Sequence, residues 1–416
     1  MSKLLYRFFI SVYPFMARIL GAFNAKARLW VNGRKNIFTA LQQALQPNTQ
    51  PVIWMHCASL GEFEQGRPVL EALRLQHPHT RILLTFFSPS GYEVQKQYKG
   101  ADWIFYLPMD SARNARNFFD IVQPSLVLFV KYEFWHYYLQ QARNRNIPLL
   151  LVSGIFRSNQ AFFKSYGQFH RRMLDCFTHF FVQNQASATL LQSVGYNNIT
   201  IAGDTRFDRV LEIAGNFSPL PVIEQFCNGK PVIVAGSTWS EDDEELDHFA
   251  NTHPDIRFII APHDIGVERI KECQHLYKQA VLFSEWEKQQ NSNANVLIID
   301  NIGMLSRLYH YATICYVGGG FGGDGIHNIL EAAVYYKPVV FGPVYDKYFE
   351  AVEMLEQEGA FSVPDALHLE KVFDQLLSNA ALYTAAADHA GNYVSSKAGA
   401  TTTLVNYIQV NRLFTN

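Results

Sequence analysis

Short apolar runs recur along this chain, separated by stretches with helical spacing. In the first half they are Pro51–Ser59 (PVIWMHCAS), 81–88 (RILLTFFS), 126–130 (LVLFV), 148–154 (PLLLVSG), 179–184 (HFFVQN) and 199–203 (ITIAG). None alternates apolar with polar positions. Such runs predict parallel strands covered on both faces. The first is followed by a glycine turn and the helix-like EFEQGRPVLEALRLQ (62–76). A break rich in Gly and Pro, AGNFSPLP (214–221), interrupts the pattern. It restarts at 231–237, 257–262, 280–284, 295–300, 313–320 and 338–343. Two βα-repeating halves predict an α/β chain with two doubly wound, Rossmann-like domains, 31–213 and 222–384, facing a cleft. Residues 385–416 read as a helical stretch after the last strand, able to pack back on the first domain.

The segment 4–23 (LLYRFFISVYPFMARILGAF) stands apart. It is long enough to span a bilayer as a helix. Arg7, Arg18 and Pro14 interrupt it, which disfavours a clean spanning helix. Lys3, Arg7, Arg18, Lys26, Arg28, Arg34 and Lys35 all precede the first carboxylate of the chain, Glu62. An apolar, basic head predicts that residues 1–30 form a membrane-anchor segment, monotopic or shallowly inserted, facing anionic lipid from the cytoplasmic side. A signal peptide and an ordinary packed helix are the other readings.

The rest of the composition narrows the class. The chain has 416 residues, 48% hydrophobic and 17% charged, with a formal net charge of −2. That excludes a disordered chain and lacks the basic bias of nucleic-acid binders. The five cysteines include no CxxC pair, so a zinc ribbon or disulfide framework is not expected, and a reducing compartment fits.

Candidate chemistry gathers where strands end. VGGGFGGDGIHNILEAA (317–333) feeds an apolar strand into glycines and then a helix. Glycines allow close approach of backbone to an anion, here through Gly320, Phe321 and Gly322, and Glu331 could accept from ribose hydroxyls. A nucleotide-sugar site fits this better than NAD, whose motif usually opens the first βα unit. In GSTWSEDDEEL (236–246), Ser237 and Thr238 can offer hydroxyl and N–H groups to a phosphate. Ser240 with Asp243 reads as a cap, and the acidic run reads as helix-dipole complement rather than a metal site. In HCASLGEFEQGRPVL (56–70), Glu62 could be a general base or a helix-start acid, and His56 a strand-end or core histidine. Glu133 in VKYEFWH could face the cleft or pair with Lys131. Arg206 in GDTRFD could bind a carboxylate or phosphate, or pair with Asp204 or Asp208.

In this order the motifs resemble the 3-deoxy-D-manno-octulosonic acid (Kdo) transferases of glycosyltransferase family 30. SLGE (59–62), YEFW (132–135), SGIFRSNQAFFKSY (153–166), DTRFD, GST, IGML (302–305) and GGGFGGDGIHNILE carry the resemblance over nearly the whole chain. It implies a GT-B type fold with an N-terminal membrane-anchor helix. It implies Glu62 as catalytic base, and Glu133 and Arg206 as stabilisers of the transition state. Pro262 and His263, then Ile302, Gly303 and Met304, then Asn328, Ile329, Leu330 and Glu331, match positions that contact CMP. Pro262-His263-Asp264 stands where the family has Pro-Arg-His, Arg206 replaces a Lys, Gly320 replaces a Ser, and Met304 replaces a Glu.

The resemblance further implies one inverting displacement. Kdo would pass from CMP-Kdo to a lipid A precursor in lipopolysaccharide synthesis, at the cytoplasmic face of the inner membrane. No cofactor, metal or nucleic-acid partner is expected. The competing readings are a UDP-sugar transferase or 2-epimerase of the same architecture, a non-catalytic membrane-tethered nucleotide-binding protein, and an NAD dehydrogenase.

Overall fold

The computed structural model describes residues 3–46, 48–288 and 293–414. The chain divides into two units, Met1–Arg209 with Ala398–Asn416, and Val210–Lys397.

The first unit holds seven strands: β1 (Val52–Cys57), β2 (Arg81–Phe86), β3 (Trp103–Tyr106), β4 (Leu126–Val130), β5 (Leu149–Gly154), β6 (His179–Val182) and β7 (Ile199–Ile201). They lie in the order β3-β2-β1-β4-β5-β6-β7, every pair parallel. β1 and β4 are buried at every position because helices cover both faces. One face packs Trp54, Leu83, Phe118, Phe129 and Leu151. The other packs Ile53, Met55, Leu84, Leu128 and Val152.

The second unit repeats the plan with β8 (Val232–Thr238), β9 (Arg257–Pro262), β10 (Ala280–Leu282), β11 (Val296–Ile298), β12 (Ile314–Val317), β13 (Val339–Phe341) and β14 (Ala360–Ser362). The order is β10-β11-β9-β8-β12-β13-β14, again all parallel. In each sheet the strand order reverses beside the first strand, between β1 and β4 and between β8 and β12; in the second sheet β11 also lies between β9 and β10. Ligands of open parallel sheets bind at such points, outside the carboxyl ends of the strands.

Three expectations change. β3 and β14 were not anticipated; they are short edge strands, and β3 is only partly buried. The helical stretch expected over 385–416 is two helices. Ala380–Ser396 stays with the second unit, beyond the break expected at 384. Ala400–Val410 buries Leu404, Val405 and Ile408 in the first unit's core, and Asp208 accepts hydrogen bonds from the Gly399 and Thr401 N–H groups at 2.6 and 2.7 Å.

The N-terminal segment is the third. Among the described residues no helix is long and apolar enough to cross a membrane. The expected anchor is instead a helix, Lys3–Leu20, packed on the first unit by one face through Tyr6, Ile10 and Ala17. Tyr6 donates to Asp110 at 2.5 Å and Arg7 Nε donates to the Tyr137 hydroxyl at 2.9 Å. Its other face leaves Leu4, Leu5, Phe8, Phe15, Met16, Ile19 and Leu20 exposed.

Candidate functional site

In the first unit, Glu62 follows β1 and Glu133 follows β4, so the two carboxylates flank the point where strand order reverses. Glu62 opens the helix Leu60–Gln76. Its Oε2 accepts from the Ser59 N–H at 3.1 Å and from the Ser59 hydroxyl, closing a capping box. The helix-start reading is therefore realised on one oxygen. Among the described residues no hydrogen bond falls on Oε1.

Glu133 Oε2 accepts from His56 Nε2 at 3.0 Å and from the Trp135 indole N–H. A carboxylate only accepts, so Nε2 carries the proton. In the neutral ring Nδ1 then accepts from the Thr85 hydroxyl at 2.9 Å, and Thr85 Oγ1 in turn accepts from Trp54 Nε1 at 2.8 Å. A buried line of hydrogen bonds thus runs Trp54–Thr85–His56–Glu133. His56 is fully buried in β1, as a core histidine should be, and it also holds the candidate residue Glu133. The sequence offered only a histidine at the end of an apolar run as a signal; its partner lies 77 positions away.

Arg206 sits in the first turn of the helix Thr205–Gly215, just after β7. Its Nε and N–H both donate to Asp204 at 2.9 Å, so the ion-pair reading holds. Asp204 also accepts both contacts of Gln65 Nε2 at 3.0 Å, which fixes the pair to the helix Leu60–Gln76. Tyr132 senses the whole cluster: burial pushes its hydroxyl above the usual range, and Arg157, Glu62, Arg206 and Asp204 all act on it. Burial raises the Cys57 thiol too, with Glu62 and Glu133 adding to the effect. The three candidate catalytic residues therefore share one neighbourhood. Lys131 and Ser153, at the ends of β4 and β5, have φ of +63° and +50°. Such conformations are rare away from glycine and gather at functional sites.

In the second unit, Ser237 lies one residue before the end of β8 at φ +56°, where the register with β9 shifts. Thr238 is fully buried. The helix Ser240–Thr252 is capped one position earlier than expected: Asp242, not Asp243, accepts from the Trp239 N–H at 2.9 Å. Asp242 also accepts from the Gly319 N–H and the Tyr316 hydroxyl, both at 2.8 Å. It ties the GST turn to the glycine loop. Asp243 instead faces Arg269, Tyr277 and Cys273. Gly318 and Gly320 continue the loop, whose Gly319 has φ +92°.

The helix expected straight after the glycines is a single turn, Leu330–Ala333. Ile326 and His327 intervene, and their N–H groups donate to Val344 O at 3.2 Å and Gly318 O at 3.0 Å. The turn begins only where Asn328 Oδ1 accepts from the Leu330 N–H at 3.2 Å. The groups this loop could offer to an anion are therefore individual backbone N–H groups, not the end of a long helix. Asn328 Nδ2 donates to Glu331 at 3.1 Å; Ile329 and Leu330 are core. Phe321 packs against the core of this unit.

A cavity of about 330 Å³ lies against the loop, lined by Trp239, His263, Gly319, Gly322, His327 and Tyr348 among others. His263 follows Pro262 at the end of β9 and stacks between Trp239 (4.6 Å) and His327 (4.5 Å). Burial, with His263 nearby, pushes His327 down to about 4, so it is neutral at neutral pH. Trp239 and His327 were not anticipated. Ile302 and Gly303 do not line this cavity, and Ile302 is highly exposed. Met304 is buried beside the turn Leu305–Leu308. Among the described residues no group of acids, histidines and cysteines could hold a metal ion.

Residues 33–209 match the family model described as 3-deoxy-D-manno-octulosonic-acid transferase (kdotransferase). The chain is 28% identical to the 3-deoxy-D-manno-octulosonic acid transferase of Aquifex aeolicus over 80% of its length and 87% of that protein's. It is 26% identical to the one of Haemophilus influenzae, over 79% of each. Among solved structures it is similar to the UDP-GlcNAc 2-epimerase of Neisseria meningitidis bound to UDP-GlcNAc, with TM-score 0.62 and 16% identity over 86% of this chain and all of that one. That likeness speaks to fold alone: two parallel-sheet α/β domains, as in GT-B glycosyltransferases.

Proposed function

We infer that this chain, a glycosyltransferase belonging to the Kdo transferases, moves Kdo from CMP-Kdo to a lipid A precursor in one inverting displacement, with Glu62 as general base. The observation that carries the reading is the placement of Glu62 and Glu133 at the strand-order reversal of the first unit, with Arg206 in the same electrostatic neighbourhood. Glu62 keeps one oxygen in its capping box and offers the other to the attacking sugar hydroxyl. Glu133, locked by His56 and Trp135, and Arg206, locked by Asp204, are groups whose orientation does not have to be reorganised as charge develops.

The donor half of the reading rests on the second unit. The leaving group, a cytidylate, needs donors for its phosphate rather than an acid. The glycine loop, pinned by Asp242, and the turn at Ser237 and Thr238 supply backbone N–H groups there. The cavity beside Trp239, His263 and His327 is of a size for a sugar ring. The exposed apolar face of Lys3–Leu20 and its unopposed basic residues support work at the cytoplasmic face of the inner membrane, where the acyl chains of the acceptor remain in lipid. The fold likeness to 2-epimerases keeps that rival on structure alone; the basic apolar head has no role on a soluble substrate.

The test is Glu62→Gln, which preserves shape and the Ser59 cap. Turnover with CMP-Kdo and acceptor should fall by ~10²–10⁴, with melting temperature and CMP binding unchanged. Near-normal turnover would sink the assignment.

A further inference from the structure

We propose that the cavity between the start of the N-terminal helix and the helix His136–Asn144 is a binding site for a phosphate monoester. It has a volume of about 450 Å³ and is lined by Lys3, His136, Gln140, Gln168 and Arg172, with Tyr166 and Phe169. No Asp or Glu lines it. Lys3 and Arg172 are exposed at the rim and make no ion pair among the described residues. Gln140 and Gln168 add neutral amide donors. A cluster of donors without an acid is the composition of an anion site.

The deciding group is His136. It is 2% exposed, and neither ring nitrogen has a hydrogen-bond partner. A buried polar group left unpaired is costly, and in a native fold it calls for an explanation. The ring is held edge-on by Tyr6, Tyr137 and Phe169 at 4.8–5.8 Å, so it cannot turn away to find a partner. Burial, then the charges of Lys3 and Arg7, push its pKa down to about 4. The imidazole is therefore neutral near neutral pH, with one N–H to donate inside a positive field. An anion seated between Lys3 and Arg172 would accept that hydrogen bond and neutralise the field.

A monoester dianion fits better than a diester, since it offers a second charge and three free oxygens to this set. Its source is either a lipid head group or free phosphate. Leu4, Leu5 and Phe8 lie exposed next to Lys3 on the same helix, so a head group would bring its chains against an apolar face. The site shares no residue with Glu62, Glu133, Arg206 or the glycine loop.

The experiment uses the full chain and three probes: inorganic phosphate in solution, phosphatidylcholine vesicles with phosphatidic acid, and the same vesicles with phosphatidylglycerol. Phosphate uptake is read by titration calorimetry and vesicle binding by co-sedimentation. Lys3→Gln/Arg172→Gln is the variant; both side chains are exposed, so the fold should hold. If it melts early, Lys3→Gln alone carries the comparison. Preference for phosphatidic acid over phosphatidylglycerol by fivefold or more, lost at least tenfold in the variant, supports the site and assigns a head group. Phosphate binding in solution, lost in the variant, supports the site and assigns free phosphate. Equal binding of both vesicle types with no phosphate uptake, or a variant indistinguishable from wild type, overturns it. None of these readouts depends on sugar transfer, so the site and the transferase reading fail separately.

Discussion

A carboxylate that takes two hydrogen bonds on one oxygen is held in one rotamer, and Glu133 is in that position. His56 therefore acts through Glu133 if it acts at all. His56→Gln should lower kcat by about tenfold or more while leaving KM for CMP-Kdo within twofold. In a Glu133→Gln background the same change should cost nothing further, because residues working as a unit are not additive. Additive losses, or a melting temperature that falls in step with activity, would reduce His56 to a packing residue. Its neighbours in the line, Thr85 and Trp54, are likewise fully buried. These pairings were not legible beforehand. Glu62, Glu133 and Arg206 could each be picked out by standing just after an apolar run. What each one touches depends on strands that meet only in the folded sheet.

At the scale of elements, the central strands were readable because both faces are covered and most positions are apolar. β3 and β14 were missed, whereas the equally short and partly exposed edge strands β7 and β10 were read from their apolar runs. The glycine run was recognisable as a loop after a strand, but its expected helix shrinks to one turn because the Ile326 and His327 N–H groups are committed to the Val344 and Gly318 carbonyls. The loop also crosses another backbone closely. A Cβ at Gly320 would stand 2.5 Å from the Gly342 nitrogen, whereas one at Gly323 meets nothing within 4 Å. Gly320→Ala should destabilise the second unit by about 1–3 kcal/mol and abolish CMP binding, read by thermal melting and calorimetry. Gly323→Ala should leave the melt unchanged. Equal tolerance of both would show that the loop is not fixed against Gly342. The N-terminal helix makes a different demand. Phe8 is 67% and Phe15 60% exposed, so burying each in lipid is worth about 1.5–3 kcal/mol. Phe8→Ser/Phe15→Ser should weaken binding to anionic vesicles at least tenfold without moving the melt. Unchanged binding would remove the helix from the membrane account.

At the scale of the whole molecule, a nearly neutral chain carries all its early charge as cations, ahead of two parallel-sheet units. On the proposed reading the first would supply a base and fixed charges, and the second a phosphate loop and a small cavity. An epimerase would need neither a lipid-facing helix nor an acceptor. A scaffold would not need oriented carboxylates. The direct measurement is to incubate the purified full chain with CMP-Kdo and an acylated, phosphorylated glucosamine disaccharide, and to weigh the lipid by mass spectrometry. A lipid heavier by one or more Kdo residues, with stoichiometric release of CMP and both slowed ~10²–10⁴-fold in Glu62→Gln, is the result expected. An unchanged lipid from a folded, CMP-binding protein, or equal product from the variant, would contradict the account.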